Sequence, residues 1–396
     1  MSAQTQFSPL PPLRILCLLN LDWNRHFGAA RIYIELCDQW RASGHSVEVF
    51  SFSEAYPAKE VTPREYGIRR WQFPGKAEEF VRANADQFDV IDALTGSLSS
   101  SKSRLGFKGL LVARSVGSHH LYDRFEKSVH KRWPDVPRGS LIGRVFYSTI
   151  NRRFIRVADA GLAHADLINV PNTEEADFLR SESQVDRPVL VQPYGLTDEH
   201  AAALRNATGR TADKLRNHRI SFVGMWAPRK GARIWGDIIK RVRRKLPNTQ
   251  FRFLGTMVPP EAVYKDLGVD STAGIETVPE FAPDELPKLL ADCSVGAFPS
   301  FVEGFGLAVI EQLAAGVPTV AFDQGGPRDI LRDMPELLVP PDDVKGFADR
   351  LVKTMQLPFS EYERLVQTGL QTVARYSWWQ IAKDTLAAYR NALGKL

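Results

Sequence analysis

The sequence predicts an α/β protein with two doubly wound, Rossmann-like domains. A length of 396 residues with 44% hydrophobic content is enough for two domain cores. Short apolar runs alternate with helical patterns, and glycine-rich turns follow several of these runs. This alternation is typical of parallel sheets covered by helices, which bind ligands at the carboxyl ends of their strands.

The first half opens with an apolar run over 14–20, a loop over 21–27 and a helical pattern that ends at Gly44. Apolar runs that predict buried strands then follow one another to the polar segment 199–217, which has few large apolar residues and is the predicted linker. The predicted domains are therefore 1–198 and 218–376. The runs of the first half cover 46–52, 90–94, 109–113, 158–170 and 189–191.

The second half is organised around residues 298–326. A strand over 293–298 ends at Pro299, and a loop carrying Glu303 precedes a helix that stops at Gly316. Glu311 lies eight residues after Glu303, about two turns along this helix at 3.6 residues per turn, so both carboxylates border one cleft. The free N–H groups at the helix start suit a phosphate or a sugar oxygen. The other predicted strands cover 220–223, 250–254, 275–281 and 317–322.

Charge, cysteine content and the distribution of apolar residues bear on whether the protein binds nucleic acid, binds zinc or spans a membrane. The formal charge of +5 and the pI near 9.0 are compatible with anionic ligands or membrane surfaces, and no motif indicates nucleic-acid binding. The three cysteines fall in apolar runs without metal-ligand spacing, which predicts buried thiols in the cytoplasm and no zinc site. Neither a membrane-spanning run nor an export signal is recognisable.

The motif E-x7-E in EGFGLAVIEQLAAG, preceded by FPS and followed by a strand and GGPRD, resembles the retaining nucleotide-sugar glycosyltransferases of family 4 (group 1), which have the GT-B fold. The resemblance covers most of residues 14–390, with its sharpest motifs between Val223 and Asp329. It implies two domains facing each other across a cleft and a last helix, within 377–396, that returns to the first domain. The alternative is a pair of surface glutamates around a buried helix.

The resemblance implies a donor site in the second domain. Glu303 would hold hydroxyls of the donor sugar, Glu311 would accept from the nucleotide ribose, and Lys230 would bind the diphosphate. Relatives have an arginine where Met225 stands, so Arg229 is the candidate substitute; a plain surface role is the alternative for Lys230. The remaining donor-binding candidates are turn or backbone positions, namely Gly224, Gly255, Val278, Phe281, Gly304, Phe305, Gly306, Leu307, Gly325 and Gly326.

No Asp-x-Asp lies beside this cleft, so we expect neither a metal nor a cofactor beyond the NDP-sugar donor, a UDP- or GDP-sugar. Asp329 is expected to cap the start of its own helix. In the first domain, Gly28 either admits a phosphate or serves helix packing. Relatives carry a histidine where Val116 stands; His119 or His120 takes over its role, or the segment is an ordinary surface loop.

Residues 130–156 hold seven Lys or Arg and one Asp, with aromatic residues between them. This pattern fits peripheral contact with an anionic membrane on the inner face of the cell membrane, or else an amphipathic helix packed on its own domain.

The resemblance implies transfer, with retention, to a hydroxyl of a glycan or lipid-linked acceptor in cell-envelope polysaccharide or lipopolysaccharide synthesis. The alternatives are a nucleotide-sugar epimerase or hydrolase, and a non-catalytic binding protein of the same fold, which the residues Val116 and Met225 favour.

Overall fold

The computed structural model of the protein describes residues 11–25, 28–57, 62–136, 140–183 and 185–396. These residues form two parallel sheets of six strands each, connected by helices. The predicted doubly wound α/β architecture is confirmed.

Six parallel strands make up the first sheet, and the two at its edges are the less buried ones. The strands are β1 (Arg14–Leu18), β2 (Ser46–Phe50), β3 (Val90–Leu94), β4 (Leu110–Arg114), β5 (Leu167–Val170) and β6 (Val189–Val191). The spatial order is β2-β1-β3-β4-β5-β6, with Ile15 opposite both Val47 and Val90. Because β3 and β4 are buried along their whole length, they appear in the sequence as near-continuous apolar runs.

The helices of the first half begin and end at identifiable signals. Gly44, with φ of 86°, follows the end of the first helix, and Thr62 and Glu65 form a capping box at the start of the third. The described helices are α1 (Gly28–Ala42), α2 (Phe52–Ala55), α3 (Pro63–Asn84), α4 (Lys102–Leu105), α5 (His119–Arg132), α6 (Leu141–His164) and α7 (Thr173–Ser181). The apolar run over 158–170 is split between α6 and β5, because Ala158 and Leu162 face the core from a helix.

The second sheet has the order β12-β11-β10-β7-β8-β9. Its strands are β7 (Arg219–Val223), β8 (Gln250–Leu254), β9 (Ile275–Val278), β10 (Val295–Phe298), β11 (Thr319–Phe322) and β12 (Leu338–Val339). The helices described in this half are α8 (Asp198–Asn206), α9 (Thr211–Asn217), α10 (Trp235–Lys245), α11 (Pro260–Leu267), α12 (Leu286–Leu290), α13 (Leu307–Ala314), α14 (Gly325–Ile330), α15 (Val344–Met355), α16 (Phe359–Val373) and α17 (Trp378–Leu393).

The segment predicted as a linker, 199–217, lies almost wholly within α8 and α9. Helix α8 packs against α12 and α13, and α9 packs against α16. Its low content of large apolar residues therefore reflects short helices on the surface of the second sheet, and Leu204 is the buried anchor of α8.

The last helix, α17, packs on the first sheet. Trp40 donates a hydrogen bond from its ring nitrogen to the carbonyl of Ala382 at 3.2 Å. Arg114 pairs with Asp92, both fully buried, and Arg114 also donates to the Tyr389 hydroxyl at 2.8 Å. This hydrogen-bonded ion pair ties α17 to β3 and β4, since a buried charge is tolerated only when it is paired.

Candidate active site

The candidate active site lies where the loops after β10 and β11 face the carboxyl edge of the first sheet. Strand β10 ends at Phe298, and α13 begins after Gly306, whose φ of 92° lies in the left-handed region that favours glycine. In the described part of the chain no side chain caps α13, so its first N–H groups remain for a ligand. The positive end of the helix dipole lies at the same point.

Glu303 and Lys230 form an ion pair at this helix start. Their side chains are 13% and 14% exposed, and the lysine ammonium also lies 5.0 Å from the centre of the Phe298 ring. Burial lowers the pKa of Lys230, and nearby Arg229 lowers it further, while Glu303 opposes both effects. The loop from β7 therefore brings a desolvated cation against the first glutamate of the E-x7-E motif.

Arg229 supplies a second positive charge beside Lys230. Its guanidinium group lies 5.6 Å from the centre of the Tyr122 ring and 3.5 Å from the Met225 sulfur. Because it lies next to the position that Met225 holds, it is placed to take over part of the work of the arginine found in relatives. That substitution remains a prediction.

Glu311 lies on the second turn of α13, facing the first half of the chain. Its Oε1 is 3.3 Å from Arg31 on α1 and 3.4 Å from the ring Nε2 of His200 on α8. Burial raises the pKa of Glu311, but its contacts with His200 and Arg31 outweigh that effect, and the pKa lies below its usual value. The His200 contact does not meet hydrogen-bond geometry.

Sequence reasoning missed both Arg31 and His200. Arg31 follows Gly28, the predicted phosphate-approach position, which is exposed at the start of α1 with nothing within 4 Å of an added Cβ. His200 belongs to the segment interpreted as a linker. A polar residue one turn after a helix-start glycine was the available signal for Arg31, whereas nothing local pointed to His200.

Three loops at the carboxyl ends of β7, β8 and β9 form the wall predicted to contact the nucleotide. The Gly224 amide donates to the Leu254 carbonyl and the Gly255 amide donates to the Val278 carbonyl, each at 2.8 Å. A Cβ on Gly255 would lie 3.1 Å from the Phe281 ring. These backbone positions are thus adjacent, as predicted, and their contact with a base remains a prediction.

Gly304, Gly325 and Gly326 mark places where backbones pass closely. A Cβ on Gly304 would lie 2.2 Å from the Val116 carbonyl oxygen, and one on Gly326 would lie 1.9 Å from the Phe305 carbonyl oxygen. A Cβ on Gly325 would lie 2.5 Å from the Glu303 carbonyl oxygen. The Val116 backbone, rather than its side chain, is what meets the E-x7-E loop.

The paired histidines lie away from the Lys230–Glu303 pair. His119 is half-buried, with its ring Nε2 3.1 Å from the Thr95 hydroxyl and its ring edge-on to Phe154 at 4.5 Å. Burial, aided by Arg70, lowers its pKa to about 3, so it is neutral at physiological pH. His120 pairs with Asp159 at 2.7 Å, which raises its pKa. Neither ring contacts Glu303, and a catalytic role for either remains a prediction.

The first turn of α7 joins the two halves beside the site. Asn172 donates to the Gly304 carbonyl, and the Gly325 amide donates to the Glu174 carboxylate. The Thr173 amide donates to Asp329 at 2.8 Å. Asp329 therefore caps α7 of the first half, and the predicted cap on its own helix, α14, is not formed.

A cavity of about 280 Å³ opens between α5, the first turn of α7 and the loop 301–303. We call it the α5 cavity. Tyr122 and Phe125 from α5 and Phe301 from the loop line it, and Glu175 and Glu303 border it. The Asn-x-x-Glu pattern at the start of α7 is an ordinary helix-start signal and does not identify Glu175 as a site residue.

Comparison with known proteins identifies proteins that this chain resembles. Residues 217–356 match the family model described as glycosyl transferases group 1. A D-inositol 3-phosphate glycosyltransferase of Nocardioides sp. is 26% identical, over 93% of this chain and 86% of that protein. An MMP alpha-(1->4)-mannosyltransferase of Mycolicibacterium hassiacum is 27% identical, over 58% of this chain and 55% of its own length.

Solved structures share the fold. Sucrose-phosphate synthase from Thermosynechococcus elongatus superposes with a TM-score of 0.73 at 17% identity, over 97% of this chain and all (100%) of that one. An Anabaena protein in complex with UDP and glucose superposes with a TM-score of 0.62 at 14% identity, over 96% and 100% of the two chains. The predicted GT-B fold and group 1 resemblance are confirmed. The family model and the curated relatives support glycosyltransferase activity.

Proposed function

We propose that this chain, which carries a group 1 glycosyltransferase domain on a GT-B fold, is a retaining, metal-independent glycosyltransferase of cell-envelope polysaccharide or lipopolysaccharide synthesis. It would move a sugar from a UDP- or GDP-sugar to a hydroxyl of a glycan or lipid-linked acceptor. The observation that carries the proposal is the buried Lys230–Glu303 pair at the uncapped start of α13, between the two sheets.

The proposed chemistry breaks the bond between the anomeric carbon and the diphosphate oxygen. The acceptor oxygen bonds to the same face of that carbon, and its proton passes to the departing diphosphate. Lys230, Arg229 and the α13 N–H groups stabilise the charge that develops on the diphosphate. Because these groups supply positive charge themselves, the proposal requires no metal.

Glu303 and Glu311 bind hydroxyls in this proposal, and neither moves a proton. Glu303 holds donor-sugar hydroxyls beside the reacting carbon. Arg31 and His200 both contact Oε1 of Glu311, and the ribose hydroxyls are assigned to its Oε2.

Glu311→Ala is expected to weaken donor binding by about 10- to 100-fold, because a hydrogen bond to a charged group contributes about 1.5–3 kcal/mol. Nucleotide release from UDP-, GDP-, ADP- and TDP-sugars, with and without a lipid-glycan extract, measures the donor KM and names the donor. Glu336→Ala is the matched control, because Glu336 pairs with Arg364 at the surface, 41% exposed.

Four outcomes separate the candidates. Release that needs the extract and is lost in Glu311→Ala supports a transferase, and the anomeric configuration of the product by NMR tests retention. Release without acceptor indicates a hydrolase, and conversion of the donor to an isomer indicates an epimerase. Tight binding without turnover would identify a binding protein, the candidate that Val116 and the 44% exposed Met225 favour. Activity that disappears with EDTA would contradict metal independence.

We also propose that the first half of α6 rests on an anionic membrane. Residues in its first two turns expose apolar side chains, among them Leu141 (70%), Ile142 (83%), Val145 (60%) and Tyr147 (64%). The second half of the helix buries Phe154, Val157 and Leu162 against the protein. In the first half, Phe146 and Ile150 lie against Gly67 of α3, so the packed-helix alternative describes those positions and the second half of α6. The side chains of Leu141, Ile142, Val145 and Tyr147 remain exposed in the described structure. Arg138 of the predicted segment lies outside the described residues.

Charge favours an anionic surface for this face. Arg144 lies among the exposed apolar residues, and Arg153 follows near the Trp71 ring at 4.5 Å. Near an anionic membrane each cation contributes about 1 kcal/mol, and apolar side chains add to the binding as they enter the interface. Within the described residues, no helix has the length and apolar character needed to cross a membrane.

Ile142→Asp combined with Val145→Asp is expected to lower binding to anionic vesicles at least about tenfold, because two apolar side chains become anions. Co-sedimentation with vesicles containing phosphatidylglycerol measures the effect, and pure phosphatidylcholine vesicles test the role of charge. Lys345→Asp, at an exposed position on α15, serves as the surface control. Equal vesicle binding by the wild type and the Ile142→Asp/Val145→Asp variant would contradict membrane docking through α6.

A further inference from the structure

The α5 cavity has a buried carboxylate that the proposed transfer chemistry leaves unused. Glu175 is 3% exposed and lines the cavity. One side of its carboxylate faces the Ser115 hydroxyl and the Ser118 amide, whereas Oε2 has no hydrogen-bond partner among the described residues. Buried polar atoms are normally paired, so an unpaired oxygen beside a cavity points to a missing ligand group.

A helix-capping role in α7 does not explain why Oε2 of Glu175 is buried without a partner. Glu175 occupies the third position of α7, where a glutamate usually turns back to the backbone of the cap residue. Here Asn172 accepts from the Glu175 amide at 2.8 Å, yet the carboxylate points across to the start of α5. Asn172 therefore caps the helix, and the Glu175 carboxylate takes no part in the cap.

The walls of the cavity suit the faces of a sugar ring. The Phe125 and Phe301 rings stack with centroids 5.5 Å apart, and the Tyr122 ring lies on the side of Glu303. A volume of about 280 Å³ is close to the lower end, about 300 Å³, of ordinary ligand pockets. Apolar walls with a few placed polar groups are typical of small-molecule sites.

The charges of the cavity disfavour an anion. Arg124 is paired with Glu182, and Arg132 is paired with Asp342, so both guanidinium groups already have acidic partners. Lys230 is paired with Glu303. Glu174, which also lines the cavity, lies 3.9 Å from Arg328. Among the charged side chains that line the cavity, Glu175 is therefore the one without an oppositely charged partner in the described residues, and its carboxylate would repel a phosphate and accept from a hydroxyl.

From these observations we propose that the α5 cavity binds the acceptor as an uncharged sugar, with Glu175 accepting a hydrogen bond from one of its hydroxyls. This inference rests on the proposed transferase function, because it assigns the acceptor side of the same site. It also predicts a substrate class that lacks the phosphate named for the inositol-phosphate relative.

The direct test measures sugar binding in the presence of UDP, without turnover. Saturation-transfer NMR titrations use methyl α-glucoside and methyl α-mannoside against glucose 6-phosphate and mannose 6-phosphate. Neutral glycosides are expected to bind at least about tenfold more tightly than the phosphates, and Glu175→Gln to weaken them about tenfold. Asp177→Asn is the matched control, since it lies on the same helix with its side chain 75% exposed.

Measuring glycoside binding as a function of pH tests whether Glu175 contacts the sugar, because a merely structural role for Glu175 would not make binding depend on its ionisation. Burial raises the pKa of Glu175 to about 7, with Glu174 on its own helix adding to the shift. Tyr122 on α5 and Tyr194 after β6 lie near it. The charged groups that line the same cavity are Arg124 and Arg132 on α5, Glu174 on α7 and Glu303 on the facing loop. Glycoside binding should strengthen from about pH 6 to about pH 8 as Glu175 ionises, and should be flat in Glu175→Gln.

Tighter binding of the phosphates, no binding of either class, or equal glycoside binding by wild type and Glu175→Gln would each overturn the inference. Glu175→Asp, which keeps the charge, and a thermal melt of each variant distinguish a lost contact from a lost fold. Donor binding and turnover are measured separately, so a failure of the transferase proposal would show as absent nucleotide-sugar binding while the glycoside titration still judges the cavity.

Discussion

Replacing Lys230 with alanine is expected to lower the rate constant of glycosyl transfer by about 10²- to 10³-fold, the factor that one preorganised group facing a developing negative charge contributes. Lys230 is 14% exposed and lies at the uncapped start of α13, so little water replaces its charge when the diphosphate leaves. Arg229 limits the loss, because it keeps one cation near the same place. Single-turnover transfer with saturating donor measures the chemical step.

The effect on folding has to be separated from the effect on chemistry. Removing Lys230 leaves Glu303, whose side chain is 13% exposed, without its partner. The loss of unfolding free energy should stay below the cost of breaking a fully buried pair, about 3–5 kcal/mol. Lys230→Met combined with Glu303→Gln removes both charges, so stability should return toward wild type while transfer stays slow. A double variant that melts normally and transfers at the wild-type rate would contradict the assigned roles.

Lys245→Ala provides the matched control for the lysine itself. Lys245 pairs with Asp349 at 3.0 Å on the surface, with the two side chains 53% and 42% exposed. Such a pair contributes about 0–1 kcal/mol, so stability and transfer should both stay close to wild type. A rate for Lys230→Ala equal to that of this control would show that the buried ammonium has no part in transfer.

Local pattern predicted most of the second sheet and the central loop. The run over 250–254 coincides with β8, whose Phe251, Phe253 and Leu254 are buried, and the runs over 220–223, 293–298 and 317–322 overlap β7, β10 and β11. The E-x7-E spacing placed Glu303 before α13 and Glu311 on its second turn, since helical pitch is a local property.

The features that were missed depend on contacts between distant residues. Helix α3 was not predicted, because its apolar positions pack on several neighbours and leave no clean stripe. Arg31 and His200 reach Glu311 from 280 and 111 positions earlier in the chain, and no spacing rule relates them. Glu175 resembles an ordinary helix-start glutamate until the position of α5 shows where its carboxylate points.

Gly304→Ala is expected to lower transfer by about 100-fold with little change in the fold of either half. The added Cβ would lie 2.2 Å from the Val116 carbonyl oxygen, more than 1 Å inside ordinary contact at 3.4–4 Å. The oxygen belongs to the backbone, so it cannot rotate away as a flexible side chain would. The E-x7-E loop and the loop after β4 must then move apart. A misplacement of about 1 Å in a site can cost about 10²-fold in rate.

Gly109→Ala is the matched control for this steric effect. Its added Cβ would also lie 2.2 Å from a backbone oxygen, that of Asp89, but within the first half of the chain. We therefore expect Gly109→Ala to lower the melting temperature while the folded fraction keeps its transfer rate. We expect Gly304→Ala to lower the transfer rate with little change in melting temperature. This difference distinguishes a contact that aligns the two halves of the chain from one that only fills the core. If Gly304→Ala instead transferred at the wild-type rate, the approach of Val116 to the E-x7-E loop would not belong to the active arrangement of the two halves.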